Sequence, residues 1–254
     1  MTTTPDTPRT EQHKENKTVR RPRRWLRFVA LFATFLVVGF GVLFACARYA
    51  SQKEPEFYSE AMQVQPELQV EDGDQLEREV LQLHNSTRRE GTWEATFTAQ
   101  QINGWLATDL EEKFPDVVPP QFLNPRVAID SECFRLACWY KDPPTNTILS
   151  LDVDVHLTDT PNVIAVHIQA ARAGVIPVPL VQVLNTVSYF AGRADVELRW
   201  ANMNADPVAL VTIPTHLEEL QHLLHLETLE LRDGQIYLSG RTVAEEEEKT
   251  PAVN

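Results

Sequence analysis

The sequence predicts an α+β fold, with an N-terminal transmembrane helix followed by an antiparallel sheet packed on helices. The first observation is an uncharged, almost wholly apolar run at residues 28–47. The second is a series of short segments in which apolar and polar residues alternate between turn residues, as neighbouring antiparallel strands require. The third is a small number of capped amphipathic segments among them, which indicates helices lying across one face of the sheet.

The apolar run is long enough to cross a membrane, because a helix over its twenty residues spans about 30 Å. A basic cluster that begins at Arg20 precedes the run, and positive flanks stay cytoplasmic. We therefore predict a disordered basic cytoplasmic tail at residues 1–24 and a transmembrane helix at residues 25–48. The protein then lies in the inner (cytoplasmic) membrane, with its main domain periplasmic, that is, extracytoplasmic.

Three alternatives for the apolar run stay open at this point. The small residues that end at Ala47 permit signal cleavage, Cys46 resembles a lipidated cysteine, and Arg23-Arg24 loosely resembles a twin-arginine export signal. All three place the main domain outside the cytoplasm.

The charge of the chain excludes one class of partner. Residues 1–27 carry a net charge of +5 and residues 48–254 a net charge of −18, which gives −13 overall. A basic tail suits the anionic inner leaflet of a membrane. The acidic remainder lacks the basic footprint of a nucleic-acid-binding protein, so we expect the membrane and not a nucleic acid as a partner.

Composition and periodicity divide the chain after the membrane run. Residues 49–91 are predicted to form an acidic tether with a helix near 74–89, where Leu76, Val80 and Leu83 recur at i, i+4 and i+7. Residues 92–243 form the extracytoplasmic α+β domain. The tail at residues 244–254 contains four consecutive glutamates and is predicted to be a disordered acidic segment.

The clearest helix start in the domain is at Thr98. Thr98 and Gln101 have the spacing of a capping box, and Phe97 and Ile102 that of a hydrophobic staple. A second helix is predicted near residues 179–190, and a short third one at residues 217–224. Between them we predict strands near residues 126–130, 134–140, 148–158, 163–172, 194–200 and 208–213, and a hairpin around Asp233-Gly234.

No motif for a reaction stands out. The chain has no Gly-x-Ser-x-Gly turn, no glycine-rich phosphate loop and no His-Glu-x-x-His segment. Asp152 and Asp154 are interpreted as a solvated strand face, and His222 and His225 as solvated helix residues. We therefore predict no catalytic residue, no metal site, no cofactor and no enzymatic activity.

Apolar faces are the remaining candidate for function. The helix faces at residues 102–114 and 180–190, together with the two-sided strand at residues 163–172, could open into an apolar slot that binds a lipid or another apolar ligand. The predicted lining residues are Ile102, Trp105, Leu106, Val166, Ile168, Leu180, Val183, Leu184 and Val187. The alternative is an envelope scaffold or protein-interaction domain with no ligand pocket, partnered by an envelope protein. A hydrolase hidden by divergence is a third hypothesis.

Three segments carry a resemblance to known proteins: the capped helix at residues 96–103, the segment with alternating prolines at residues 173–179, and the hairpin at residues 229–241. Their order resembles the uncharacterised YpmS-like membrane-anchored proteins of bacteria and, more distantly, the tubular lipid-binding (TULIP-like) proteins. The resemblance implies a curved sheet around a long helix and the binding of a lipid or other greasy ligand. It supplies no active-site residues.

Overall fold

The computed structural model describes residues 53–115, 118–143, 145–193, 196–203, 206–217 and 222–244. The chain divides into two units, Met1–Cys46 and Ala47–Asn254, and all the described residues belong to the second. The predicted cytoplasmic tail, the predicted transmembrane helix at residues 25–48 and residues 245–254 of the predicted acidic tail lie outside the described residues. None of the described helices combines the length and the hydropathy needed to cross a membrane.

Five helices and eleven strands are described. The helices are α1 (Glu56–Met62), α2 (Pro66–Thr87), α3 (Ala99–Thr108), α4 (Leu110–Lys113) and α5 (Leu180–Arg193). The strands are β1 (Gly91–Thr98), β2 (Phe122–Ile129), β3 (Phe134–Asp142), β4 (Thr145–Leu157), β5 (Val163–Ala173), β6 (Ile176–Pro177), β7 (Leu198–Met203), β8 (Asp206–Thr212), β9 (His216–Leu217), β10 (His222–Arg232) and β11 (Gln235–Ala244).

The strands form two sheets, and every described strand pair is antiparallel. The smaller sheet has the order β1-β11-β10-β9, and the larger has the order β2-β3-β4-β5-β8-β7, with β6 added to β5. The β-structure is curved but does not close on itself. The predicted α+β class with an antiparallel sheet is therefore confirmed.

The four-stranded sheet has one apolar and one polar face, because side chains alternate along each strand. On the apolar face, Phe97 lies opposite Ile236, and Leu229 lies opposite Leu238. Trp93 pairs with Gly240, where a Cβ would lie 2.3 Å from the Trp93 ring, so this position leaves no space for a side chain. Helix α2 contributes side chains to the space above this face.

Two asparagines connect the sheets and helices through backbone hydrogen bonds. Asn103 of α3 donates to the Val127 carbonyl (2.9 Å) and accepts from the Val127 amide (2.7 Å), as a neighbouring strand would. Asn162, just before β5, donates to the Leu224 carbonyl (2.5 Å) and accepts from the Leu226 amide (2.8 Å). The larger sheet is thereby joined to the smaller one at β10.

Helix α1 packs against the face of the larger sheet that carries Ala137 and Ile148. Tyr58 is 2% exposed and packs against Ala137 and Ile148, while its hydroxyl donates to the Asn124 carbonyl at 3.1 Å. Burial raises the pKa of Tyr58 to about 12. Part of the predicted acidic tether at residues 49–91 is therefore folded against the sheet.

The predicted local structure agrees with most of these elements. The capping box at Thr98 and Gln101, the hairpin at Asp233-Gly234 and the helix near residues 179–190 are confirmed. The helix predicted near residues 74–89 is longer at its N-terminal end, because Pro66 occupies its first turn. The short helix predicted at residues 217–224 is wrong for the part that the structure describes. His222, Leu223 and Leu224 belong to a strand and pair with β11.

Candidate ligand-binding groove

An apolar groove of about 450 Å³ lies between helix α2 and the apolar face of the four-stranded sheet. We call this space the α2 groove. Its lining consists of apolar side chains with a single threonine: Leu76, Val80, Leu83, Thr87, Trp93, Phe97, Ile102, Ile164, Ile213, Leu224, Leu226, Leu229, Ile236 and Leu238. Its volume lies in the range of about 300–1,000 Å³ that is typical of small-molecule sites.

The helical side of the α2 groove follows from the spacing of three residues. Leu76, Val80 and Leu83 recur at i, i+4 and i+7, so they lie on one side of α2. Val80 is 49% exposed, which places it where the groove meets solvent. The C-terminal end of α2 is fixed to the sheet, because the buried Thr242 hydroxyl donates to the Thr87 carbonyl at 2.9 Å.

The α2 groove reaches the larger sheet at Ile164 of β5. By alternation, Val166 and Ile168 lie on the same face of β5 as Ile164. The strand pairing extends that face across the sheet, and we call it the apolar face of the larger sheet. It carries Phe134, Leu136, Leu151, Val153, Val155, Leu157, Ile164, Val166, Ile168, Leu198, Trp200, Ala209 and Val211.

Burial on this face is uneven. Val153, Ile168 and Ala209 are buried, whereas Val155 and Val166 are only half-buried. Cys138 also lies on this face, since it pairs with Leu149 two positions from the Leu136–Leu151 pair. Burial raises the pKa of the Cys138 thiol to about 11, so the thiol stays protonated and uncharged near neutral pH.

Helix α5 lies on the same side, in contact with both edge strands of the larger sheet. Phe190 packs edge-on against Phe122 of β2, with ring centroids 5.3 Å apart. Trp200 of β7 donates from Nε1 to Ser188 Oγ at 2.8 Å. Because Phe122 pairs with Tyr140 and Trp200 pairs with Ala209, these contacts are made from the apolar face.

Six of the predicted lining residues fall on three surfaces. Ile102 lines the α2 groove, while Val166 and Ile168 lie on the apolar face of the larger sheet. Val183, Leu184 and Val187 are half-buried on α5. The Leu180 side chain lies outside the described part of the structure.

Trp105 and Leu106 of α3 are not among the groove-lining residues. Trp105 points toward α2 and α4 instead, where its indole donates to Glu77 Oε1 at 3.1 Å and its ring lies 5.8 Å from that of Phe114. Leu106 is half-buried. Among the predicted residues whose side chains are described, Ile102 is the one that the structure brings into the groove.

Sequence reasoning missed most of the α2 groove, although two signals were present. The i, i+4, i+7 pattern of Leu76, Val80 and Leu83 predicts a helix, but the acidic segment around it predicts a tether and not the wall of a site. The alternation of apolar residues on both sides of Asp233-Gly234 identified a hairpin, yet not which of its faces would be covered. Pairing the two signals requires knowing that α2 lies across that hairpin.

The chemistry of the α2 groove is limited to excluding water and holding apolar groups. Among the described residues its lining carries no acid, base or thiol, and the hydroxyl of its one threonine, Thr87, donates to the His84 carbonyl at 2.9 Å. Across the described residues, no group of three or more His, Cys, Asp or Glu side chains is placed to hold a metal ion. His222 and His225 lie on strand β10 at an odd spacing, so they point to opposite faces and cannot share one ion.

No family model matches the chain, and no curated protein matches its sequence.

Proposed function

We propose that this protein is a single-pass, membrane-anchored extracytoplasmic protein without enzymatic activity, whose body binds a lipid or another apolar ligand. The observation that carries the proposal is the α2 groove, a space of about 450 Å³ lined by apolar side chains and one threonine. Ile164 lines the groove and also lies on the apolar face of the larger sheet, so the site can extend along that face.

The physical basis is the transfer of apolar surface from water. Each methylene group that leaves water contributes about 0.8 kcal/mol, so about two methylenes change affinity tenfold. A straight acyl chain therefore suits a groove that offers no polar partner along most of its length. Affinity should rise with chain length until the groove is filled.

The proposal includes the resemblance of the sequence to the YpmS-like and TULIP-like proteins. The curved, open antiparallel structure is the coarse architecture expected of the YpmS-like and TULIP-like proteins. In this view residues 25–48 anchor the protein in the cytoplasmic membrane, and residues 1–24 stay in the cytoplasm. Cysteine accessibility on the two sides of the membrane in intact cells tests that orientation.

Ligand binding can be tested with a fluorescent fatty acid whose emission increases in apolar surroundings. Residues 47–254 form one compact unit and can be prepared without the preceding apolar run. Unlabelled fatty acids of increasing length should displace the probe with increasing affinity.

A matched pair of variants assigns the binding to the α2 groove. Val80 lines the groove and is 49% exposed, whereas its neighbour Leu81 is 59% exposed and does not line it. Val80→Glu should weaken probe binding about tenfold, because an apolar chain in the groove takes water away from the carboxylate at its opening. Leu81→Glu should leave binding unchanged.

Equal binding by both variants would contradict the assignment of the site. A body that binds no probe, but retains one stoichiometric protein from the envelope, would favour the scaffold alternative. Circular dichroism of both variants checks that the exposed substitutions leave the fold intact.

A further inference from the structure

Helix α5 and the turn before it expose large apolar side chains. Val181 is 69% exposed, Tyr189 51% and Val175, in the turn between β5 and β6, 50%. The surrounding segment, residues 173–193, contains no aspartate or glutamate, and its one charged residue is Arg193. This is unusual in a chain with a net charge of −13.

Charge separates this surface from the other exposed apolar surface of the body. Helix α2 also exposes Leu68, Val70, Val80 and Leu81, by 49–59%. However, α2 carries six acidic residues in 22 positions. A bilayer that contains anionic lipid has a negative surface, so it repels α2 and accepts the acid-free α5.

The C-terminal part of α5 has side chains suited to a membrane–water interface. The Arg193 guanidinium donates to the Tyr189 hydroxyl at 2.8 Å and lies 5.7 Å from the centre of the Tyr189 ring. Tyrosine places an apolar ring and a polar hydroxyl at the level of the lipid headgroups, and arginine can pair with phosphates there. The other exposed positions of α5 include Gln182, Asn185 and Thr186, which are polar and uncharged.

We propose that the outward side of α5, together with the Val175 turn, docks on the surface of a lipid bilayer. This inference rests on the proposed function and deepens it. Helix α5 contacts both edge strands of the larger sheet through Phe122 and Trp200, so it lies on the same side as the apolar face of that sheet. Docking brings this face next to the bilayer from which an apolar ligand is taken or to which it is delivered.

The test uses the full chain reconstituted into vesicles of phosphatidylethanolamine and phosphatidylglycerol. A photoreactive benzoylphenylalanine is placed at Val181 in one preparation and at Val70 in the other. Val70 is a matched control, because it is a valine 51% exposed on α2. After illumination, mass spectrometry measures the yield of lipid adducts on the protein. We expect about tenfold more lipid adduct from the probe at Val181 than from that at Val70.

A second comparison places the benzoylphenylalanine at Tyr189 and changes either Val181 or Val70 to aspartate. Val181→Asp should lower the adduct yield at Tyr189 several-fold, and Val70→Asp should not change it. Equal yields from the probes at Val181 and Val70, or no effect of Val181→Asp, overturn the docking surface. If that happens while the fluorescent fatty acid still binds, only docking fails. Adducts at Val181 with no fatty-acid binding leave docking in place and remove the carrier function.

Discussion

Gly104 of α3 lies against Gly73 of α2, so closely that a Cβ on Gly104 would be 2.6 Å from the Gly73 amide nitrogen and 2.5 Å from the Gln69 carbonyl oxygen. Both glycines are buried. The two helices therefore cross with their backbones nearly in contact. This crossing holds α2 at the position from which Leu76 and Val80 reach the groove.

We expect Gly104→Ala to destabilise the protein by about 1–3 kcal/mol, because the added methyl group forces the two helices apart. Gly192→Ala in α5 is the matched control, since none of the described residues, apart from its chain neighbours and the nearby helix backbone, has an atom within 4 Å of its Cβ position. That substitution should stabilise the protein by up to about 1 kcal/mol through helix propensity. Urea unfolding measures both changes. The crossing would lose its assigned role if both substitutions were stabilising.

Asn162 is expected to be a strong determinant of how the two sheets are joined. It is 2% exposed, has a positive φ of 58°, and bonds to the backbone of Leu224 and Leu226. Asn162→Ala leaves the Leu224 carbonyl and the Leu226 amide unpaired in the interior and strains the backbone. We expect a loss of about 2–4 kcal/mol in the free energy of unfolding.

Two glycine substitutions separate the hydrogen bonds from the backbone strain at Asn162. Asn162→Gly accepts the positive φ, so it should be less destabilising than Asn162→Ala by about 1–2 kcal/mol. Asn124 also has a positive φ, of 49°, but is exposed. Asn124→Gly should therefore change stability little. An equally small effect at both positions would show that Asn162 does not join the sheets.

We expect Tyr58 to lower the free energy of unfolding of the protein as the pH rises into the alkaline range. Its pKa is raised from 10.0 to about 12 because it is buried. The stabilisation it gives is complete below pH 10, the pKa in the unfolded chain, and is lost as the pH rises toward 12. The slope from this residue is at most about 1.4 kcal/mol per pH unit.

Comparison with Tyr58→Phe isolates that contribution. At neutral pH the variant should lose about 0.5–1.5 kcal/mol, the value of the hydrogen bond to the Asn124 carbonyl. Between pH 10 and 12 its free energy of unfolding should fall less than that of the wild type. Parallel curves for the two proteins in urea unfolding would mean that α1 does not bury Tyr58 in solution.

Local signals in the sequence predicted much of the fold, and nonlocal packing accounts for the rest. The capping box at Thr98 and the Asp233-Gly234 turn are determined by a few adjacent residues, and both are confirmed. The segment at residues 217–224 has leucines at helical spacing, but the pairing of His222 to Leu224 with β11 overrides that local pattern. Helix α1 was not predicted, because the burial of Tyr58 depends on strands far along the chain.

The candidate site was harder to predict than the fold for the same reason. The sequence identified apolar faces on α3, β5 and α5, but not which pairs of faces leave a space between them. Ile102 belongs to the apolar face predicted for α3, and it lines the groove. Leu229 and Leu238 are brought beneath α2 by the crossing at Gly73 and Gly104, a contact that no local pattern reveals.

The most direct test of the account is native mass spectrometry of residues 47–254 purified without detergent, followed by mass spectrometry of an organic extract of the same sample. We predict a species heavier than the polypeptide by the mass of one apolar molecule, an extract that contains that molecule, and a reduced amount of it in Val80→Glu but not in Leu81→Glu. A polypeptide of unmodified mass that yields no lipid on extraction, and takes up none when fatty acid is added, would contradict the account.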